Sequence, residues 1–311
     1  MPGDRASSGT GERSRLTAYL EQIFIGLSMA AVLLLVALGL TFTYGQMGVI
    51  NMAHGELIMV GAYTPYVFQH HLGAGAGTSI VVSLVVGFMA AGALGLAMER
   101  LLLHRLVTRP LDTLLVTFGI SLILQQAARD VFGAPNVEVS TPSWLAGNWD
   151  WFGFAMPHRR LFIMALVLIV VSGLSVFLAR HREGRRMRAV TQNRDLAAVS
   201  GLATRRIDAT TFFVGAGLAG VAGVAVSLVG AIGSQIGSAY IVDAFLVVIV
   251  GGLGKMRGAV IAALMLGMLG SFAQWWTSAS IGKAIVFTLV IVFLQFRPNG
   301  LVSFRSRGLV A

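Results

Sequence analysis

Apolar runs long enough to cross a membrane recur along the chain and predict a bundle of membrane helices. A crossing helix needs about 20 residues. Uninterrupted apolar runs fall near 19–42, 79–99, 160–180, 208–231 and 280–297. Runs broken by polar residues or glycine fall near 48–70, 111–132, 236–254 and 258–276. The pattern predicts an all-α polytopic membrane protein with about 8–9 transmembrane helices.

The run at 45–70 is the least regular, and it predicts a broken or re-entrant segment. Asn51, His54 and Glu56 stand there among apolar residues and four glycines. A charged acid at bilayer depth costs roughly 2.5–3.5 kcal/mol on insertion scales, so such groups usually face the bundle interior or a water-filled path. A broken helix is tolerated where it packs in protein or lines a cavity. The alternative is a helix-packing site with satisfied polar groups.

Composition and charge agree with a membrane protein. The chain is 56% hydrophobic and 12% charged, whereas ordinary globular domains carry about 25% charged residues. The formal net charge of +10 does not indicate nucleic acid as a partner, because the arginines cluster between apolar runs, as the positive-inside rule predicts. Membrane lipids are the expected surroundings. The absence of cysteine excludes disulfides and thiolate metal sites.

The arginines also predict which side of the membrane each loop occupies. Segment 182–207 is rich in arginine and should be cytoplasmic. Residues 99–110 and the C-terminal tail, 303–311, should lie on the same side. Loop 133–158 has no lysine or arginine and contains three tryptophans, which suit the membrane interface. We therefore predict that this loop is periplasmic.

The N-terminal region poses a conflict that the sequence leaves open. Residues 1–16 are polar and predict a disordered tail, followed by one transmembrane domain over 17–302. Counting crossings back from residues 99–110 places the N-terminus outside, whereas the three arginines of the tail favour the inside. A re-entrant pair within 45–70 that does not cross would place the N-terminus in the cytoplasm.

Motifs for catalysis and nucleotide binding are missing. No G-x-x-x-x-G-K-[ST] sequence occurs, so a P-loop is excluded and any ATP must be used by a partner subunit. The chain also lacks H-E-x-x-H, a nucleophile elbow and a Cys/His cluster. We therefore expect a transport subunit that is not an enzyme and that binds no cofactor or metal.

The basic cytoplasmic segment admits two interpretations. Residues 187–201 are too polar to insert and are long enough for one short helix, about 22 Å at 1.5 Å per residue. They form either a solvated basic loop or a coupling helix that docks into a motor subunit through a small apolar ridge. The residues predicted to make that contact, or to end the helix, are Arg188, Arg194, Leu196, Val199 and Gly201.

The motif I-N-x-A-H-G-E at Ile50–Glu56 resembles the permeases of branched-chain amino acid ABC importers, the LivH-type family. Blocks at 47–67, 109–139 and 187–209 resemble, more narrowly, the urea-importer permeases of UrtB type. The closing QFRPNGL, at 295–301, is shared widely across the family. The similarity covers roughly residues 20–302, almost the whole chain.

The resemblance implies a division of labour in the bacterial inner membrane. A periplasmic solute-binding protein delivers the solute, and this subunit pairs with a second, LivM/UrtC-like permease subunit to form the path. Two ABC ATPase subunits dock on cytoplasmic coupling helices, here within 182–207. The pathway opens by alternating access, with ATP hydrolysed by the separate ATPases.

The chemistry of urea suggests which residues line the path. Urea has several N–H donors and one carbonyl acceptor, so weak paired donors and acceptors suit it better than one strong charge. Asn51, His54 and Glu56 supply mixed hydrogen-bonding capacity, and Met59 lies in the same stretch. Asp243 stands in another apolar run, where it lines the path or bonds to a backbone donor or a cation on another helix.

Three rival functions remain open at this stage. The same importer would carry branched-chain or other amino acids in place of urea. An ion-coupled secondary transporter would use His54, Glu56 and Asp243 as a proton relay. A membrane-embedded enzyme is disfavoured by the missing motifs.

Overall fold

The computed structural model of this chain describes residues 6–107, 109–151 and 154–302, so the predicted tail at 303–311 lies outside the described residues. The helices are α1 (Ala6–Met47), α2 (His54–His70), α3 (Ala76–Met98), α4 (His104–Leu106), α5 (Pro110–Phe132), α6 (His158–Arg180), α7 (Arg182–Gln192), α8 (Arg194–Val199), α9 (Thr204–Ser227), α10 (Ile236–Gly251), α11 (Met256–Trp276) and α12 (Ala279–Phe296). A π-helical turn, Glu99–Leu103, joins α3 to α4. The loop before α6 holds a 3₁₀ turn, Ser143–Leu145, and an antiparallel hairpin of β1 (Asn148–Trp151) and β2 (Phe154–Pro157).

The helices confirm the predicted class of an all-α polytopic membrane protein. Within the described residues, seven helical stretches are long and apolar enough to cross a membrane. They are Thr17–Met47, Ala76–Leu106, Pro110–Phe132, His158–Arg180, Thr204–Ser227, Met256–Trp276 and Ala279–Phe296. With the shorter apolar helix α10, the described residues hold eight apolar helices, and the short helix α2 packs among them.

Contacts at the two ends of α1 decide its direction through the bundle. Its last turn reaches the basic segment, because the Thr191 hydroxyl of α7 donates to Gln46 Oε1 at 2.6 Å. At its other end, Tyr19 lies edge-on to Trp275 at the end of α11, with ring centroids 5.3 Å apart. Helix α1 therefore ends beside the basic segment that is predicted to be cytoplasmic, and it starts near the end of α11. We call this opposite end of the bundle the outer end.

Part of the N-terminal stretch 1–16 belongs to helix α1, and the predicted disorder of this tail stays a prediction. Helix α1 begins at Ala6, well inside the stretch 1–16, and continues without a break into the membrane span. Each residue that is added to an existing helix gains a hydrogen bond at small cost. The apolar span therefore favours continuation of helix α1 into the polar residues that precede it.

Glycines let the central helix α9 approach its neighbours at backbone distance. A Cβ atom at Gly223 would lie 1.9 Å from the carbonyl oxygen of Ile58 in α2. A Cβ at Gly220 would lie 2.2 Å from the carbonyl oxygen of Gly87 in α3. Small residues allow such close packing in membranes, where the lipid supplies no hydrophobic force between helices. The small-residue face of α9 therefore holds α2 in place.

We expect Gly223→Ala to destabilise the protein, because the new methyl group must displace the α2 backbone. Overpacking of this kind costs about 1–3 kcal/mol, which thermal unfolding in detergent measures as a lower midpoint. The matched control is Gly119→Ala in α5, where a Cβ meets no atom within 4 Å. Equal midpoints for the two variants would contradict the packing role of Gly223.

Candidate functional site

The chain leaves the helical path between α1 and α2, which confirms the predicted broken segment. Residues 48–53 are not helical, and Gly48 has a φ of +67°, in the left-handed region that favours glycine. The Asn51 side chain accepts a hydrogen bond from the Ala53 N–H at 3.0 Å. The Met52 N–H donates to Thr117 Oγ1 of α5 at 3.1 Å. Side chains thus satisfy part of the backbone at this break.

Glu56, in the first turn of α2, is the centre of a polar cluster between α2, α5 and α10. Its Oε1 accepts from the Ser121 hydroxyl at 2.9 Å and from Gln125 Nε2 at 2.8 Å. Gln125 Nε2 also lies 2.9 Å from the hydroxyl of Ser238. Glu56 and Ser121 are buried, Gln125 is partly buried and Ser238 is exposed. The four side chains form a polar connection from the bundle interior to its surface.

Two helix N-termini meet at this cluster. Gly55 of α2 and Gly237 of α10 pack backbone to backbone, since a Cβ on Gly237 would lie 2.4 Å from the Gly55 carbonyl oxygen. Helix N-termini carry partial positive charge and favour a carboxylate in the first turn, the position of Glu56. Asn51 Nδ2 and Glu56 Oε2 are buried without a hydrogen-bond partner among the described residues. One donor and one acceptor thus remain unpaired beside the cluster.

Ser121, Gln125 and Ser238 were not predicted from the sequence. Helix α5 nevertheless carried a signal, because polar residues recur every fourth position at Thr113, Thr117, Ser121 and Gln125. Residues four apart share one helix face. The first three of these side chains are buried, whereas Leu111 is exposed on the apolar side. The stripe therefore turns toward the bundle and meets Glu56.

The side chains of His54 and Met59 lie in different surroundings from that of Glu56. The His54 ring is fully buried, and its Cε1 would lie 3.0 Å from a Cβ at Gly39 of α1. Met59 lines an almost wholly apolar cavity of about 490 Å³ between α2, α3 and α5. In that cavity Tyr63 stacks on Phe132 with ring centroids 4.1 Å apart. Both ring nitrogens of His54 are buried without a hydrogen-bond partner among the described residues, as are Asn51 Nδ2 and Glu56 Oε2.

Asp243 lies apart from the Glu56 cluster. Its carboxylate pairs with Lys283 of α12 at 3.2 Å, the bond to another helix that was the alternative for this residue. Both side chains line a cavity of about 420 Å³ between α1, α6, α10, α11 and α12, with no residue from α2 or α5. The structure therefore does not bring His54, Glu56 and Asp243 together, as a proton relay would require.

The segment that is predicted to be cytoplasmic forms two helices, so the expectation of one helix over 187–201 is wrong. Asn193 adopts an extended conformation between α7 and α8, and its side chain accepts from the Leu196 N–H at 2.9 Å. Asparagine is a preferred N-cap, and this cap starts a new helix. The predicted ridge is present on α8, where Leu196 and Val199 are 64% and 87% exposed. Gly201, with a φ of +83°, follows α8.

Arg188 and Arg194 differ in their surroundings. Arg188 is exposed on α7. Arg194 forms an ion pair inside the chain with Asp208, which is buried near the start of α9. Gln46 Nε2 donates to the same carboxylate at 3.3 Å. The guanidinium of Arg194 thus holds α8 against α9. The same carboxylate also bonds to the last turn of α1, which lies immediately before the break at 48–53.

We expect Asp208→Leu to loosen α8, because it leaves Arg194 without its carboxylate. Breaking a largely buried ion pair costs about 3–5 kcal/mol at most, and the partial exposure of Arg194 lowers that figure. Hydrogen exchange should show faster exchange of the α8 amides, about tenfold or more. The control Glu183→Gln removes an exposed pair with Arg186 in α7 and should leave α8 unchanged. Unaltered α8 exchange in Asp208→Leu would disprove the anchoring role.

Comparisons with known proteins agree on one family. The family model described as "Branched-chain amino acid transport system / permease component" matches residues 22–294. The chain is 30% identical to the high-affinity branched-chain amino acid transport system permease proteins BraD of Pseudomonas aeruginosa and LivH of Escherichia coli, covering 91% of this chain and 95% of each relative. It is 26% identical to LivM of Escherichia coli over 88% of this chain and 68% of that relative. No solved structure matches. The chain therefore belongs to the family of permease components of branched-chain amino acid transport systems.

Proposed function

We propose that this permease component serves an ABC importer and that the solute passing its polar cluster is urea. The observation that carries this proposal is the connection from Glu56 through Gln125 to Ser238, which combines a carboxylate, an amide and hydroxyl groups. Urea donates N–H groups and accepts through one carbonyl, so it bonds to both kinds of partner. The block at 109–139 that resembles urea-importer permeases contains Ser121 and Gln125.

Each residue of the cluster has a distinct part in the proposed path. Glu56 Oε2 accepts from an amide of urea, and Asn51 Nδ2 donates to its carbonyl. Gln125 Nε2 has two hydrogens but three acceptors within reach, namely Glu56, Ser121 and Ser238. It therefore leaves one of them free at any time. The free acceptor can bond to the solute and then return to Gln125. Such a site binds a solute weakly enough for it to leave.

The proposed importer contains further subunits. The relatives LivH and LivM are both permeases, and they support pairing of this chain with a second permease subunit. Two ABC ATPases would dock on coupling helices of the two permease subunits, in this chain at α8, and a periplasmic binding protein would deliver urea at the outer end. In this proposal the complex lies in the bacterial inner membrane, and this chain binds no cofactor.

A second candidate solute is a branched-chain amino acid. The names of the curated relatives favour it, and so does the apolar cavity of about 490 Å³ lined by Met59, one helical turn from Glu56. An aliphatic side chain would fill that cavity while the polar end of the solute met the cluster. Urea has no apolar part to use it.

Uptake into proteoliposomes distinguishes these functions. The chain is reconstituted with its partner permease, ATPases and binding protein, and labelled urea and labelled leucine are supplied in separate assays. We expect saturable urea uptake that requires ATP and is not reduced by excess leucine. Leucine uptake without urea uptake would favour the second candidate. Uptake driven by an ion gradient without ATP would contradict both.

A further inference from the structure

The cavity beside Asp243 has the composition of a binding site for an amphiphile. Its volume of about 420 Å³ falls in the range of ligand pockets, which are mostly apolar with a few polar groups. The apolar walls come from α1, α10, α11 and α12, namely Met29, Val32, Leu33, Leu246, Leu266 and Val286. Charged and polar groups come from Arg160, Asp243, Lys283, Tyr240 and Gln274.

The charged groups of this cavity do not balance. Asp243 is paired with Lys283 at 3.2 Å. Arg160, the third residue of α6, is partly buried, and no carboxylate of the described residues pairs with it. Its sequence neighbour Arg159 carries the same charge. A partly buried guanidinium without a counter-ion is costly, so the cavity favours a ligand that brings a negative charge.

The position of the cavity favours a ligand from the membrane. Arg160 is the third residue of α6 and Lys283 is the fifth residue of α12, so both lie near the outer end of the bundle, and Lys283 is half-exposed. Ile281 and Ile285 of α12 are exposed beside it and suit contact with lipid chains. Long basic side chains near helix ends reach the headgroup level of a bilayer.

We propose that this cavity binds an anionic phospholipid of the outer-end leaflet. The phosphodiester accepts hydrogen bonds from the Arg160 guanidinium and the Lys283 ammonium, the pairing that planar guanidinium groups favour. One acyl chain lies along Val32, Leu33 and Leu246. Free phosphate would satisfy the charges but would leave the apolar walls unfilled. The proposal is independent of which solute the importer carries.

Native mass spectrometry of the detergent-purified chain tests the proposal with phosphatidylglycerol as the probe. We expect Arg160→Gln to weaken binding of one phosphatidylglycerol about tenfold, the loss expected for one charge-assisted hydrogen bond. The matched control Arg159→Gln alters an exposed arginine outside the cavity and should bind as the wild type does. Equal binding by the Arg160 and Arg159 variants would overturn the proposal.

Two further measurements separate lipid binding from anion binding and from misfolding. Leu246→Trp fills the apolar part without changing a charge, so it should displace the lipid and leave the protein monodisperse on size exclusion. Retention of the lipid by this variant would overturn the acyl-chain assignment. Inorganic phosphate at millimolar concentration should not compete, and full competition would show an anion site and refute the lipid site.

Discussion

Replacing Glu56 by leucine is expected to reduce ATP-driven uptake by about tenfold to a hundredfold. A hydrogen bond to a charged group contributes about 1.5–3 kcal/mol, and each 1.4 kcal/mol is about a factor of ten. The change also leaves the Ser121 hydroxyl and Gln125 amide without the carboxylate they both bond. Uptake into proteoliposomes, normalised to inserted protein, measures the effect.

The neighbouring residues and a matched control sharpen this test. Asn51→Leu should also impair uptake, whereas Glu56→Gln retains an acceptor and should lose less. The control Glu21→Leu makes the same replacement at an exposed position of α1 and should keep normal uptake. If Glu56→Leu and Asn51→Leu both transport normally, the cluster serves helix packing and the proposed path is wrong.

The second large effect is expected at the ridge of α8. Leu196→Asp together with Val199→Asp should uncouple ATP hydrolysis from uptake, or release the ATPase, while the permease still inserts. Both side chains are largely exposed and suit a shallow groove on a motor subunit, the helix-in-groove mode of binding. Exposed charge pairs contribute about 0–1 kcal/mol each, so the apolar contact should outweigh Arg188. Solute transported per ATP and ATPase co-purification are the two measurements.

Controls for the ridge come from the same segment. Gln192→Asp with Ser200→Asp adds the same two charges at exposed positions and leaves the ridge intact, so coupling should survive. Arg194→Ala should act more mildly, because it loosens α8 from Asp208 without removing the ridge. Normal ATPase retention and normal uptake in the ridge variant would place the docking contact elsewhere, with residues 99–110 the next segment to test.

The contacts of Arg194, Asp208 and Gln46 connect the α8 ridge to the broken segment next to the Glu56 cluster. Gln46 contacts both Thr191 of α7 and Asp208 of α9. It stands at the end of α1, five residues before Asn51 in the broken segment. If an ATPase displaced α8, the movement would pass from Arg194 to Asp208 and Gln46. From Gln46 it would reach Asn51 and the polar cluster along five residues of chain. This coupling is a proposal, and the ridge and Asp208 variants test it from either side.

Much of the fold follows from the sequence because it depends on local properties. The length of an apolar run sets whether a helix spans the membrane, and seven described helical stretches are long and apolar enough to do so, with α10 as a shorter apolar helix. The arginine distribution assigned the cytoplasmic end, and the glycines with Asn51, His54 and Glu56 marked the broken segment. The motif at Ile50–Glu56 indicated the family that the comparisons then confirmed.

The site depended on tertiary structure because its contacts join distant segments. Glu56 meets Ser121 and Gln125 across 65 and 69 residues of chain, and Lys283 pairs with Asp243 across 40. An apolar run fixes the existence of a helix but not its rotation about its axis, since lipid and protein neighbours are equally apolar. Packing of the glycine-rich face of α9 sets where α2 lies, and with it the direction of Glu56. The sequence thus determined which helices cross the membrane, and tertiary packing decided which polar side chains meet within it.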